Sequence, residues 1–148
     1  MLTRTLGLLV ALSILGCATE RRPESLRATL ADGEWRLLVD EQLAAPVTGI
    51  PGDAIPDSAY RDEPAGPELR VRAGQGATRI EIVDERLVGE LTRESTPTSL
   101  TYDLVQGTVA GGRFRAWTER DVVRAELTLY GSGVPVLSSR RGKLIKVG

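Results

Sequence analysis

From Glu68 onward apolar residues recur at every second position, and this period constrains the fold more than any other feature of the chain. Leu69, Val71 and Ala73 alternate with Arg70 and Arg72, Ile80 and Ile82 with Arg79 and Glu81, and Leu87, Gly89 and Leu91 with Glu90 and Thr92. Leu100, Tyr102 and Leu104 repeat it, as do Phe114 and Ala116 between Arg113, Arg115 and Trp117. Val123, Ala125, Leu127 and Leu129 then alternate with Arg124, Glu126 and Thr128, and Leu144 to Val147 close the series. Glu34 to Asp40 carries the same period through Trp35, Leu37 and Val39. Successive side chains of a strand point to opposite faces, so each run has one apolar and one charged face. That is the pattern of antiparallel strands half facing water. Turn signals at Asp84-Glu85-Arg86, Gly111-Gly112, Gly131-Ser132-Gly133 and Arg141-Gly142 divide the runs into neighbours in sequence. An all-β fold is expected: a small antiparallel up-and-down barrel of about eight strands, whose closure removes exposed edges. A two-sheet β-sandwich is the alternative, and Pro135 would then mark an edge strand.

Two segments before Glu68 depart from this period. Ser25 to Ala31 reads either as a short helix with Leu26 and Leu30 on one face, or as the first arm of a hairpin turning at Asp32-Gly33. Residues 42–67 hold Pro46, Pro51, Pro56, Pro64 and Pro67, five of the eight prolines, and read as a long loop. Loops beyond about 12–15 residues are uncommon in compact domains and are usually functional or disordered. Ile50 and Tyr60 are the residues expected to pin this one to the body.

At the N-terminus, Arg4 precedes an uncharged apolar run from Leu6 to Leu15, closed by Gly16 and the only cysteine, Cys17. The run is too short to span a bilayer, which needs roughly 20 apolar residues, and has the length of a secretory signal. The order of charge, apolar run, glycine and cysteine resembles a bacterial lipoprotein signal peptide. That resemblance implies removal of residues 1–16, lipidation of Cys17, and a membrane anchor that does not span. Two or more acyl chains anchor stably at about 0.8 kcal/mol per buried CH₂. Ala18 after the cysteine, by similarity to Gram-negative lipoproteins, implies the outer membrane, facing the periplasm. Residues 17–32 then form the lipidated cysteine, tether and possible helix, and 33–148 a single β domain.

Composition removes several chemistries. There is no histidine, which excludes Ser-His-Asp and Cys-His catalysis and histidine-ligated metals. Without Arg4 the chain has 18 basic and 20 acidic residues, a balance unsuited to bulk nucleic-acid binding. The adjacent carboxylates Asp40-Glu41, Asp62-Glu63 and Asp84-Glu85 read as solvated turns or loops, not as a catalytic pair. No Asp-x-Asp-x-Asp-Gly calcium loop is present. Tyr130-Gly131-Ser132-Gly133 reads as a hairpin, not a nucleophile elbow. No enzyme activity, cofactor or metal is expected.

Gly33-Glu34-Trp35, after the possible helix, resembles the Gly-x-Trp entry into the first strand of lipocalins. The resemblance implies an eight-stranded barrel closed at one end by Trp35. It further implies an arginine from the last strand, Arg140 or Arg141, across that ring, and residues 42–67 as a loop over the open end. With one Phe, three Tyr and two Trp the chain has little aromatic surface to line a pocket, so a filled barrel is favoured over a cup. The outward residues Arg113, Arg115 and Trp117, with Arg124 on the next strand, form the other candidate surface, opposed by Glu119 and Glu126 across strands. Two functions follow. One is a lipid-anchored envelope interaction or structural module, holding a protein or polysaccharide partner through its loops or the Arg-Trp face. The other is a lipocalin-like carrier of a small apolar ligand, with Trp35 and Tyr60 at the ligand.

Overall fold

The structure, a computed structural model, describes residues 25–45, 47–48, 55–131 and 136–147. Cys17, Ile50 and Pro135 lie outside the described residues. Among the described residues there are one α-helix, α1 (Leu26–Leu30), and ten strands. These are β1 (Gly33–Leu43), β2 (Val47–Thr48), β3 (Tyr60–Asp62), β4 (Glu68–Gly74), β5 (Arg79–Ile82), β6 (Leu87–Leu91), β7 (Ser99–Gln106), β8 (Val109–Glu119), β9 (Val122–Tyr130) and β10 (Val136–Lys146).

One continuous antiparallel sheet runs β10-β9-β8-β7-β6-β5-β4-β1, and β10 pairs back onto β1, from Trp35 opposite Lys146 to Gln42 opposite Arg140. The result is a closed eight-stranded up-and-down barrel, not a sandwich, with β2 and β3 added outside the ring. Closure leaves no edge within the ring to template further pairing. Tight turns set the register. Arg120 and Asp121, both at positive φ, make the two-residue connection between β8 and β9 that suits the native strand twist.

The helix reading of residues 25–31 is the one realised, and the hairpin alternative is not. Ser25 caps α1 by accepting the Ala28 N–H at 3.3 Å, while Leu26 and Leu30 are buried in the barrel core. Trp35 is also buried, and its indole N–H donates to the Leu30 carbonyl at 3.2 Å. Helix and tryptophan together close one end. The cation beside the Trp35 ring is Lys146, with Nζ 5.8 Å from the centroid, rather than Arg140 or Arg141.

Two glycine-containing pairs expected as turns lie inside strands instead. Gly111-Gly112 sits within β8, the turn having moved to Gly107-Thr108, and Arg141-Gly142 sits within β10. The physical reason is close backbone approach. A Cβ on Gly112 would collide with the Thr128 carbonyl of β9, and one on Gly142 with the Leu38 carbonyl of β1. Here glycine marks where neighbouring strands crowd, not where the chain reverses.

Inside the ring, Leu37, Val71, Ile80, Ile82, Leu100, Leu104, Phe114 and Leu127 are at most 1% exposed. Tyr102 is fully buried beside Phe114, ring centroids 6.1 Å apart, and donates its hydroxyl to the Ala77 carbonyl at 2.6 Å. Burial raises that phenol to about 12. A buried aromatic with its polar tip satisfied is a packed core element. The sequence expectation of a filled barrel agrees with this interior.

Candidate functional site

The outer wall of β8, β9, β10 and the end of β1 carries the most concentrated chemistry of the molecule. Partners directly opposite in a ladder share a face, so Arg141, Glu126 and Arg115 form one outward row across β10, β9 and β8. Lys143, Arg124 and Trp117 form the next row.

A β-bulge in β1 shapes one border. The register with β10 slips between Val39 and Glu41, so an extra residue, Asp40, stands in the strand. Bulges re-aim side chains, and here two consecutive carboxylates reach the same guanidinium. Arg124 donates to Asp40 through both terminal nitrogens, at 2.9 and 2.8 Å, and lies 3.7 Å from Glu41 and 3.9 Å from Glu119. The bidentate hydrogen bond to Asp40, with the surrounding negative charge, raises the Arg124 pKa above its ordinary value. Asp40-Glu41, expected in a loop, is therefore strand and site.

The proline-rich segment shapes the other border. The loop expected over 42–67 is partly built. β1 runs on to Leu43, a 3-10 turn spans Asp57–Ala59, and β3 pairs Tyr60, Arg61 and Asp62 with Leu43, Gln42 and Glu41. The described part lies against the outer wall instead of closing the barrel mouth. Tyr60 pins it. Its hydroxyl is 2.8 Å from Glu126 Oε2 and 2.7 Å from Ser139 Oγ, and the Arg141 guanidinium lies 3.6 Å from its ring centroid. A phenol has one proton, and the carboxylate can only accept it, so Ser139 supplies its own proton to the phenol oxygen. Arg141, 8% exposed, donates to Glu126 at 2.8 Å and to Asp57 at 2.7 Å. Burial works to lower its pKa, but the hydrogen bonds to Glu126 and Asp57 outweigh that and raise it.

Burial pushes the Tyr60 phenol up to about 12, from 10.0. Between these values the folded chain holds a proton that the unfolded chain has lost, so folding stability falls as pH rises. The contribution is complete below pH 10.0 and is lost through about 12, with Tyr102 acting the same way. Denaturant titrations at stepped alkaline pH should show this fall, reduced in slope by Tyr60→Phe. A stability flat across the window would refute it.

Between these borders lies an open cleft of ≈ 970 Å³, whose lining includes Asp40, Asp57, Arg115, Trp117, Glu119 and Arg124. A second cleft of ≈ 300 Å³ lies beside it, lined among others by Arg113, Arg115, Thr128 and Tyr130. Arg115 belongs to both, and its guanidinium lies 4.7 Å from the centroid of the Trp117 ring. The Trp117 indole N–H points to Glu119 Oε2 at 3.4 Å.

Of the residues singled out from the sequence, Tyr60, Arg113, Arg115, Trp117 and Arg124 thus share one wall. Trp35 sits apart from them as the plug of the core. The expected opposition of Glu119 and Glu126 holds only for Arg124 with Glu119; Arg113 pairs with Asp103 and Glu94, and Glu126 is taken by Tyr60 and Arg141. Asp40, Asp57, Ser139 and Arg141 complete the site; the sequence reading missed this role for them, because Asp40 stands in a bulge, Asp57 in a 3-10 turn, and Arg141 at a position read as a turn. Among the described residues no group of three or more carboxylate or thiol side chains comes together as a metal site. Chemically the wall offers hydrogen bonds, charge and one aromatic face. No protein-family model, curated protein or solved structure matches the chain.

Proposed function

We propose that this chain is a non-enzymatic interaction module of a bacterial envelope, lipid-anchored through Cys17 to the periplasmic face of the outer membrane. It works by holding a polar envelope component against the outside of its barrel. The anchor rests on the resemblance of residues 1–17 to a lipoprotein signal. The holding role rests on one observation: the large charged cleft lies outside a packed ring, bordered by the bulge at Asp40 and the segment pinned by Tyr60. The other reading, a carrier of a small apolar ligand, has less support, because interior positions are occupied by Tyr102, Phe114 and their aliphatic neighbours.

In-cell photocrosslinking of the full chain tests this reading. A benzophenone amino acid replaces Glu119 at the cleft rim or, as control, Glu90 on the exposed far wall at β6. Alkyne-palmitate labelling in the same cells reports the anchor. The expected result is a discrete crosslinked product from position 119 and not 90, with a palmitate label lost in Cys17→Ala. Equal products from both positions, or none from 119, would overturn the cleft as the working surface.

A further inference from the structure

Among the described residues, Arg113, Arg115, Arg124 and Arg141 point outward from β8, β9 and β10, and three of the four have carboxylate partners. Arg113 lies 3.3 Å from Asp103, Arg124 grips Asp40, and Arg141 grips Glu126 and Asp57. Arg115 has no ion pair among the described residues. Its Nε is buried and has no hydrogen-bond partner among the described residues, although buried polar atoms in folded proteins are almost always paired. Its cross-strand neighbours are Thr101 and Glu126, and the carboxylate of Glu126 is already held by Tyr60 and Arg141. The guanidinium instead leans over Trp117, at the junction of the two clefts.

We propose that Arg115 is the anion-binding residue of this site and that its ligand is an anionic sugar, the acidic group on Arg115 and a ring face against Trp117. This rests on the interaction-module reading and names its ligand. The guanidinium fork matches carboxylate and phosphate oxygens, so a uronate and a sugar phosphate share the chemistry. The rest of the cleft sets the class. Its carboxylates and hydroxyls, with Glu119 lining the larger cleft and Ser99 and Tyr130 the smaller, can accept hydrogen bonds from sugar hydroxyls. Those same carboxylates repel an extended polyanion such as nucleic acid or a phosphate-covered membrane. A protein anchor favours a well-packed, desolvated pocket, whereas this cleft is open and charged.

The test uses the ¹⁵N-labelled full chain in detergent micelles. The chain has two tryptophans, hence two indole N–H signals, one from the buried Trp35 and one from Trp117. Trigalacturonate and galactose phosphate are titrated separately, beside a neutral galactose trisaccharide and inorganic phosphate. At least one acidic sugar is expected to move the Trp117 signal while that of Trp35 stays, with the neutral trisaccharide and inorganic phosphate at least tenfold weaker. Which acidic sugar binds distinguishes uronate from phosphate. Arg115→Gln should weaken binding at least tenfold with the fold's spectrum retained, and Arg115→Lys should restore part of it. Inorganic phosphate binding as well as the sugars, no movement of Trp117, or unchanged affinity in Arg115→Gln would each overturn the proposal. Crosslinking from position 119 that persists in such a case would leave the module reading standing without a sugar ligand.

Discussion

Replacing Phe114 with alanine is expected to destabilise the chain by about 3–5 kcal/mol, the usual cost of truncating a core aromatic. Phe114 is fully buried on β8 and faces Tyr102 across the ladder, in a cluster with Leu37, Leu104 and Leu127. Removing the ring leaves a cavity that the neighbours cannot refill, because closed β-strands on both sides hold their spacing. The loss should lower the thermal midpoint by about 10 °C or more. Denaturant unfolding followed by circular dichroism measures it, the midpoint moving while the slope stays. A loss under about 1 kcal/mol would mean that the interior already has slack.

The second large effect lies on the outer wall. Glu126→Ala should cost about 2–3 kcal/mol, below the range for breaking a fully buried pair because this one is partly solvated. The side chain of Glu126 is 14% exposed and that of Arg141 10%, and the two are joined at 2.8 Å. Removing the carboxylate leaves Arg141 with Asp57, whose side chain is 93% exposed, and takes the acceptor from the Tyr60 hydroxyl. Tyr60→Phe removes the two hydrogen bonds of the hydroxyl, to Glu126 and Ser139, and should cost about 1–3 kcal/mol. The two losses share a contact, so the double variant should cost less than their sum. Limited proteolysis in residues 55–63 should accelerate in Glu126→Ala before global stability is lost, since Tyr60 ties that segment to β9 and β10. Unaltered cleavage there would mean that the segment is held by other contacts.

Much of the ring was legible in the residues. Alternating runs such as Ile80-Ile82 and Ala125-Leu127-Leu129 announce their faces because a strand's side chains have a period of two. The outward set Arg113, Arg115, Trp117 and Arg124 followed from the same period. What the period does not carry is contact between segments distant in sequence. Asp40 and Glu41 read as loop carboxylates because nothing local signals a bulge; the bulge follows from how β1 and β10 close the ring. Gly112 and Gly142 read as turns because glycine is as apt at a close backbone approach as at a reversal, and only the neighbouring carbonyls of Thr128 and Leu38 decide. Of Arg140 and Arg141, either of which was expected near Trp35, Arg141 instead meets Tyr60, since an unbroken β10 places it on the outward face with Glu126.

The proposed working surface lies outside a barrel whose described interior side chains are packed against one another. Thermal unfolding of the wild type and of Phe114→Ala, each with and without saturating benzene, tests this most directly. Apolar cavities of sufficient size bind benzene, and a ligand that binds only the folded state raises its stability. The wild-type midpoint should not move, while that of Phe114→Ala should rise as benzene occupies the space left by the ring. A rise of the wild-type midpoint equal to that of the variant would show a hollow interior already present and contradict the account.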